Sequence, residues 1–135
     1  MMAGSKRFAA ALAGAAAVCT VLTAPAQAAQ APGAGAQVKS CYGSAFAYTA
    51  QAGDATHPAH YPTYGNWTTV AGYCNDINIK TNATRQVQVC THNKCHGWIT
   101  ASKGVWTVIF SGSTPGAEYY VNFKGAATNS GLIAD

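Results

Sequence analysis

From Cys41 onward, polar and apolar residues alternate with a period of two rather than 3.6. Asp76-Ile-Asn-Ile-Lys80 and Arg85-Gln-Val-Gln-Val-Cys90 alternate cleanly, with Ile77, Ile79, Val87 and Val89 on one face. Successive side chains of a strand point to opposite faces, so each segment predicts a strand with one buried and one wet side. Thr81–Thr84 lies between them, and the pair reads as a hairpin. Cys41–Tyr48 reads as a first strand, Trp67–Val70 as a short one, and Trp98–Thr100 precedes a Ser102-Lys-Gly104 turn. Val105-Trp-Thr-Val-Ile-Phe110 is almost continuously apolar, which predicts a central strand; Trp106 and Phe110 within it, and Trp98 before it, are expected in the core. Thr114-Pro-Gly116 then turns the chain into Glu118–Phe123. Gln51–Asn66 carries two prolines and two glycines and reads as a long loop. After Gly125 the residues become small and polar, which predicts a C-terminal tail over 126–135 with Leu132-Ile133 as a docking pair. About six or seven short strands at this spacing predict an all-β chain, a small antiparallel β-sandwich over 41–125.

The N-terminus follows different rules. Lys6 and Arg7 precede an apolar run from Phe8 to Leu22, and Ala26-Gln27-Ala28 closes it with a small-x-small exit. A basic start, a short apolar stretch and that exit predict a secretory signal peptide over 1–28. The run is too short and too rich in Ala for a membrane span, which needs about 20 apolar residues. Cys19 leaves with this segment, because Val18 occupies a position where a lipoprotein site wants a small residue. Ala29–Ser40 is small and bears Gly and Pro, so it reads as a flexible leader.

Removing 1–28 changes the composition. The remaining 107 residues hold one Leu and one Glu against seven Val, five Ile and twelve Thr. Branching at Cβ restricts a helix and suits a pleated surface, which supports the all-β reading. Six Lys/Arg against four Asp/Glu leave a net charge of +2, and Lys39, Lys80, Arg85, Lys94, Lys103 and Lys124 stand singly. Nucleic-acid binding needs clustered positive charge, so that class is excluded.

Four cysteines remain after cleavage, Cys41, Cys74, Cys90 and Cys95. An even number in an exported chain predicts two disulfides. If Ile79 faces Val87 across the hairpin, Cys74 lies only diagonal to Cys90, at roughly 7–8 Å, whereas a disulfide wants Cβ atoms about 3.8 Å apart. Cys90 and Cys95 bracket Thr91-His-Asn-Lys94 and would clamp a tight turn. The favoured pairing is therefore Cys41–Cys74 with Cys90–Cys95.

Reactive chemistry finds little support. His57, His60, His92 and His96 lack the usual zinc-ligand spacings, so no metal is expected. Asp54, Asp76, Glu118 and Asp135 offer no carboxylate pair for glycoside hydrolysis, and no G-x-S-x-G turn presents a nucleophile. The chain is expected to be no enzyme and to need no cofactor. Its aromatic residues carry the functional signal: Tyr61-Pro-Thr-Tyr64-Gly-Asn-Trp67 places three rings on a Pro/Gly-shaped loop, with Tyr61-Pro62 a candidate cis bond. Rigid rings on a preorganised loop give a binding surface area at low entropy cost. The alternative is that Trp67 and one Tyr plug the end of the sandwich.

Cys74-Asn-Asp-Ile-Asn-Ile-Lys80, Arg85-Gln-Val-Gln-Val-Cys90, Cys95-His-Gly-Trp-Ile99 and Gly104-Val-Trp-Thr-Val108 together resemble small exported actinobacterial β-domains. The same order of strands, Cys and Gly is loosely similar to the proteinaceous α-amylase inhibitors of the tendamistat type, which are disulfide-linked β-sandwiches. The resemblance covers about half of the mature chain. Those inhibitors carry a Trp-Arg-Tyr triplet between their first two cysteines, whereas Cys41 to Cys74 holds Tyr61, Tyr64 and Trp67 but no Arg. What the resemblance implies is thus a rigid exported scaffold presenting a loop, not amylase inhibition. The expectation is a secreted bacterial binding protein, monomeric, with no membrane in its mature form. Its partner is an extracellular protein, as for an inhibitor using loop 57–67 and turn 91–96, or a polysaccharide on which Tyr61, Tyr64 and Trp67 stack. An envelope structural protein without a discrete ligand is the third alternative.

Overall fold

The computed structural model describes residues 39–135. The expected signal peptide over 1–28, Cys19 within it and most of the leader lie outside the described residues. Among those described, no helix is long and apolar enough to cross a membrane. The strands are β1 (Phe46–Thr49), β2 (Ala59–Tyr61), β3 (Thr68–Thr69), β4 (Asp76–Thr81), β5 (Arg85–Thr91), β6 (Ile99–Ala101), β7 (Thr107–Ser111), β8 (Glu118–Phe123) and β9 (Ser130–Ala134). One sheet runs β1-β9-β4-β7; the other runs β2-β8-β5-β6, with β3 also on β8. All of these strand pairings are antiparallel. The molecule is an all-β sandwich with two disulfides.

The alternation of β4 and β5 decides which side chains go inside. Ile77 and Ile79 of one sheet and Val87 and Val89 of the other are buried and form the core with Tyr48, Ile109, Tyr119, Val121, Phe123 and Ile133. The expected hairpin, however, does not form. β4 pairs with β7 and β9, and β5 pairs with β6 and β8, so residues 82–84 carry the chain from one sheet to the other. A period of two fixes the inward face of a strand but is silent about its hydrogen-bonding neighbour, and either arrangement buries the same four residues. The favoured disulfides, Cys41–Cys74 and Cys90–Cys95, are the ones present, with Cα–Cα separations of 4.7 and 3.9 Å. Their cause differs from the hairpin argument. The Thr91 N–H donates to the Lys94 carbonyl at 2.9 Å and folds Cys95 back opposite Cys90. Cys41, in turn, precedes a 3-10 turn (Tyr42–Ser44), and the Tyr42 hydroxyl donates to the buried Asn78 of β4 at 3.4 Å.

Three further expectations change. The apolar run 105–110 yields β7, an edge strand rather than a central one. Val105 and Val108 are exposed, as is Trp98; Trp106 is half-buried against Tyr42, and Phe110 only borders the core. An apolar run does not distinguish a strand covered on both faces from an edge strand flanked by aromatic neighbours. The presumed loop 51–66 contains β2. The presumed tail contains β9, which lies between β1 and β4, so the sandwich extends to Asp135. Gly131 permits that placement, because a Cβ there would collide with the Lys80 carbonyl oxygen of β4. At the strand's end the buried Asp135 carboxylate accepts from the Ala71 N–H at 2.9 Å and from the Tyr119 hydroxyl at 2.5 Å. Burial and that carboxylate push the Tyr119 phenol far above its usual range.

Candidate functional site

Segment 57–67 contains β2, and the part after Tyr61 folds over the outer face of the second sheet. Its approach is fixed by Asp54, whose Oδ1 accepts from the Thr56 and His57 N–H groups at 2.7 and 2.8 Å and from the Thr56 hydroxyl at 2.8 Å. These bonds, led by the Thr56 N–H, hold the Asp54 carboxyl far below the usual carboxylate range. The loop tip is a turn from Thr63 to Asn66, closed by the Asn66 N–H on the Thr63 carbonyl at 3.0 Å. Gly65, at φ 80°, takes the left-handed conformation that a type II turn places at its third position. The Gln51 side chain accepts the Tyr64 N–H at 3.0 Å and ties the tip back to the body.

The alternation of β2 separates the expected ring triplet. Ala59 and Tyr61 turn inward, and Tyr61 packs on Phe46 and Tyr48 with ring centroids 6.3 and 5.6 Å away. Tyr61 is therefore a half-buried wall of the core, and Tyr61-Pro62 is cis. Tyr64 and Trp67, in contrast, line a cleft of about 310 Å³ together with His57, Pro58, His60, Gly65, Asn66, Tyr120 and Asn122. Tyr64 is 44% exposed and Trp67 half-buried, so neither plugs the sandwich.

The sheet supplies the other side of the cleft. Inward Tyr119, Val121 and Phe123 of β8 leave Tyr120 and Asn122 pointing outward, and His60 lies directly opposite Asn122 in register. The rings are continuous. His57 and His60 meet Tyr64 edge-on at 4.8 and 3.7 Å, His60 meets Tyr120 at 6.2 Å, and Tyr120 meets Trp67 edge-on at 5.0 Å. Trp67 in turn stacks on His92 at 3.9 Å, which brings loop 57–67 and turn 91–96 together. His92 Nε2 lies 2.7 Å from a Glu118 carboxylate oxygen, and His57 Nδ1 lies 3.2 Å from Asp54. The Cys90–Cys95 disulfide stands behind this wall, since Tyr120 is opposite Cys90 and its hydroxyl is 3.6 Å from Cys95 Sγ.

His60 is 97% buried (3% exposed), and its Nδ1 has no hydrogen-bond partner among the described residues. Burial lowers its pKa, which favours the neutral imidazole. His96 belongs elsewhere: it meets Phe110 edge-on at 4.8 Å in an open groove with Trp98, Ile99 and Val108. Among the described residues, no three His, Cys, Asp or Glu side chains converge on one point.

Tyr120 and Asn122 lie outside the expected loop 57–67 and turn 91–96, whereas His60 and His92 lie within them without having been singled out. A signal for the first two exists, because alternation in Glu118–Phe123 places Tyr120 and Asn122 on one face. The pattern does not say that loop 57–67 covers that face. Comparison of the chain with protein-family models, with curated proteins and with solved structures finds no match.

Proposed function

We propose that the protein is an exported, non-enzymatic binding module that captures a carbohydrate or cell-wall polymer in the cleft between loop 57–67 and the second sheet. The N-terminal export pattern and two disulfides support the compartment. The observation that carries the reading is the concavity bounded by Tyr64, Trp67 and Tyr120. Aromatic rings around a small recess, with a few polar groups among them, are the usual composition of a small-molecule site. Sugar rings present apolar C–H faces to such aromatics and hydroxyls to the polar groups. Because neighbouring rings and the Cys90–Cys95 turn hold the walls in place, little side-chain freedom is lost on binding.

The test is retention on insoluble polysaccharides and isolated cell walls. Wild-type protein is expected to be retained and Trp67→Ala to wash through, with the melting temperature changed by only a few degrees. Equal retention of both, or of neither, removes the reading. A second reading, inhibition of an extracellular enzyme, draws support from the exposed Tyr64 at the tip of a loop joined to turn 91–96. It requires near-stoichiometric inhibition of a secreted protease or glycosidase, lost in Tyr64→Ala.

A further inference from the structure

We infer that the cleft takes an uncharged sugar ring, whose hydroxyls are read by the cross-strand pair His60 and Asn122. This inference rests on the carbohydrate reading above and narrows it to one chemical class.

His60 and Asn122 are directly opposite on β2 and β8, both outward, and both line the cleft. The buried Nδ1 of His60 is unpartnered among the described residues, and such groups in folded proteins call for a specific partner. The Asn122 amide nitrogen donates to Gln88 Oε1 at 3.3 Å and lies 3.5 Å from Cys90 Sγ. Gln88 is itself anchored, donating to the His96 carbonyl at 2.6 Å. The amide is thereby oriented, and its Oδ1 accepts no hydrogen bond from any described residue. A neutral imidazole and an amide each combine donor and acceptor, which matches a hydroxyl.

Charge selects the class. Among the described residues, no Lys, Arg, Asp or Glu lines the cleft. The Asp54 and Glu118 carboxylates are tied to His57 and His92 respectively. An acidic or basic sugar would lose hydration there without meeting an unpaired opposite charge. An organic cation in an aromatic cage is the competing ligand. A quaternary ammonium, however, gives no hydrogen bond to His60 or Asn122, and one face of Trp67 is already covered by His92. The volume of about 310 Å³ lies at the small end of ligand sites, which suits one ring rather than a long segment.

The experiment titrates the disulfide-intact protein, following ¹H–¹⁵N resonances that include side-chain amides and imidazole nitrogens. The probes are neutral oligosaccharides of glucose, galactose, mannose, xylose and N-acetylglucosamine, then glucuronate and glucosamine oligomers, then tetramethylammonium. The expected result is that at least one neutral probe shifts the Trp67 indole, the Asn122 amide and the His60 ring nitrogens saturably. Asn122→Ala should weaken that binding about fivefold, the loss of one hydrogen bond. His60→Gln gives a second reading of the pair should either variant fold poorly. Neutral-sugar binding that neither variant weakens overturns the pair. Shifts with only glucuronate or glucosamine oligomers overturn the uncharged class and leave the carbohydrate reading standing. Shifts with tetramethylammonium alone overturn both. Silence from every probe overturns this inference, and retention on insoluble polymers then decides the broader reading separately.

Discussion

Trp67 and His92 stack with ring centroids 3.9 Å apart, across 25 residues of sequence. The contact fastens the loop that carries Tyr64 to the turn closed by Cys90–Cys95, and Glu118 holds His92 in place from β8. Both members of the His92–Glu118 pair are about half exposed, so the pair itself adds little stability. Its role is to set the position of Trp67. His92→Ala is expected to cost no more than about 1 kcal/mol of global stability, the range of one aromatic pair. It should nonetheless move the Trp67 indole resonance and raise its solvent accessibility. An unmoved indole would show that loop and turn are independent.

The two disulfides are expected to separate in the same way. Cys41–Cys74 closes 33 residues of sequence and Cys90–Cys95 only 5. Chain entropy then gives roughly 3.7 kcal/mol for the first and about 2 for the second. Replacing Cys41 and Cys74 by Ala should lower the urea midpoint more and leave the cleft resonances unchanged. Replacing Cys90 and Cys95 should lower it less but shift Tyr120, His92 and Trp67, because the second bridge backs the wall of the cleft. Reversal of the stability order would show that strain or residual unfolded structure, not loop length, dominates.

The burial pattern was legible in the sequence because alternation is local: Ile77, Ile79, Val87 and Val89 are inward as expected. Partner choice was not, because β4 finds β9 across 50 to 56 residues and β7 across 28 to 35, and nothing local encodes that. The C-terminal strand was hidden by its own function in the sheet. Gly131 is needed for close approach to β4, and a glycine among Thr, Asn and Ser reads as a tail. The site was half legible for a similar reason. Tyr64 and Trp67 were found by their loop, whereas Tyr61 reads like its neighbours until β2 turns it inward. Tyr120 and Asn122 belong to a strand whose outer face gains meaning only once the loop folds over it.

Gly131→Ala tests the close approach of β9 and β4. The added methyl would meet the Lys80 carbonyl oxygen and the Tyr48 ring, so the central pairing of the first sheet must open. Overpacking a well-filled interior typically costs about 1–3 kcal/mol, and a backbone obstacle places this change at the upper end. Urea unfolding should show the loss, with hydrogen exchange raised along β9 and β4 and little changed on β8 and β5. An unchanged midpoint would mean that the two strands pass with room to spare.

His60 makes stability depend on pH with a definite sign. Its burial favours the neutral ring and lowers the folded-state pKa below the ordinary value of 6.5, with the nearby His57 assisting. A proton therefore binds the unfolded chain more readily than the folded one. The stabilisation is fully present above pH 6.5 and declines as pH falls below it, through the folded-state pKa. Urea midpoints measured from pH 8 to pH 5 should be flat at the upper end and fall once the pH drops below 6.5. His60→Gln, which cannot take a proton, should flatten that fall even if it lowers the midpoint overall. The ring nitrogens of His60 should titrate below those of an unfolded-state peptide reference. A His60 that titrates at or above that reference, or a slope unchanged in His60→Gln, would assign the pH dependence to other groups and leave the buried nitrogen charged at the site.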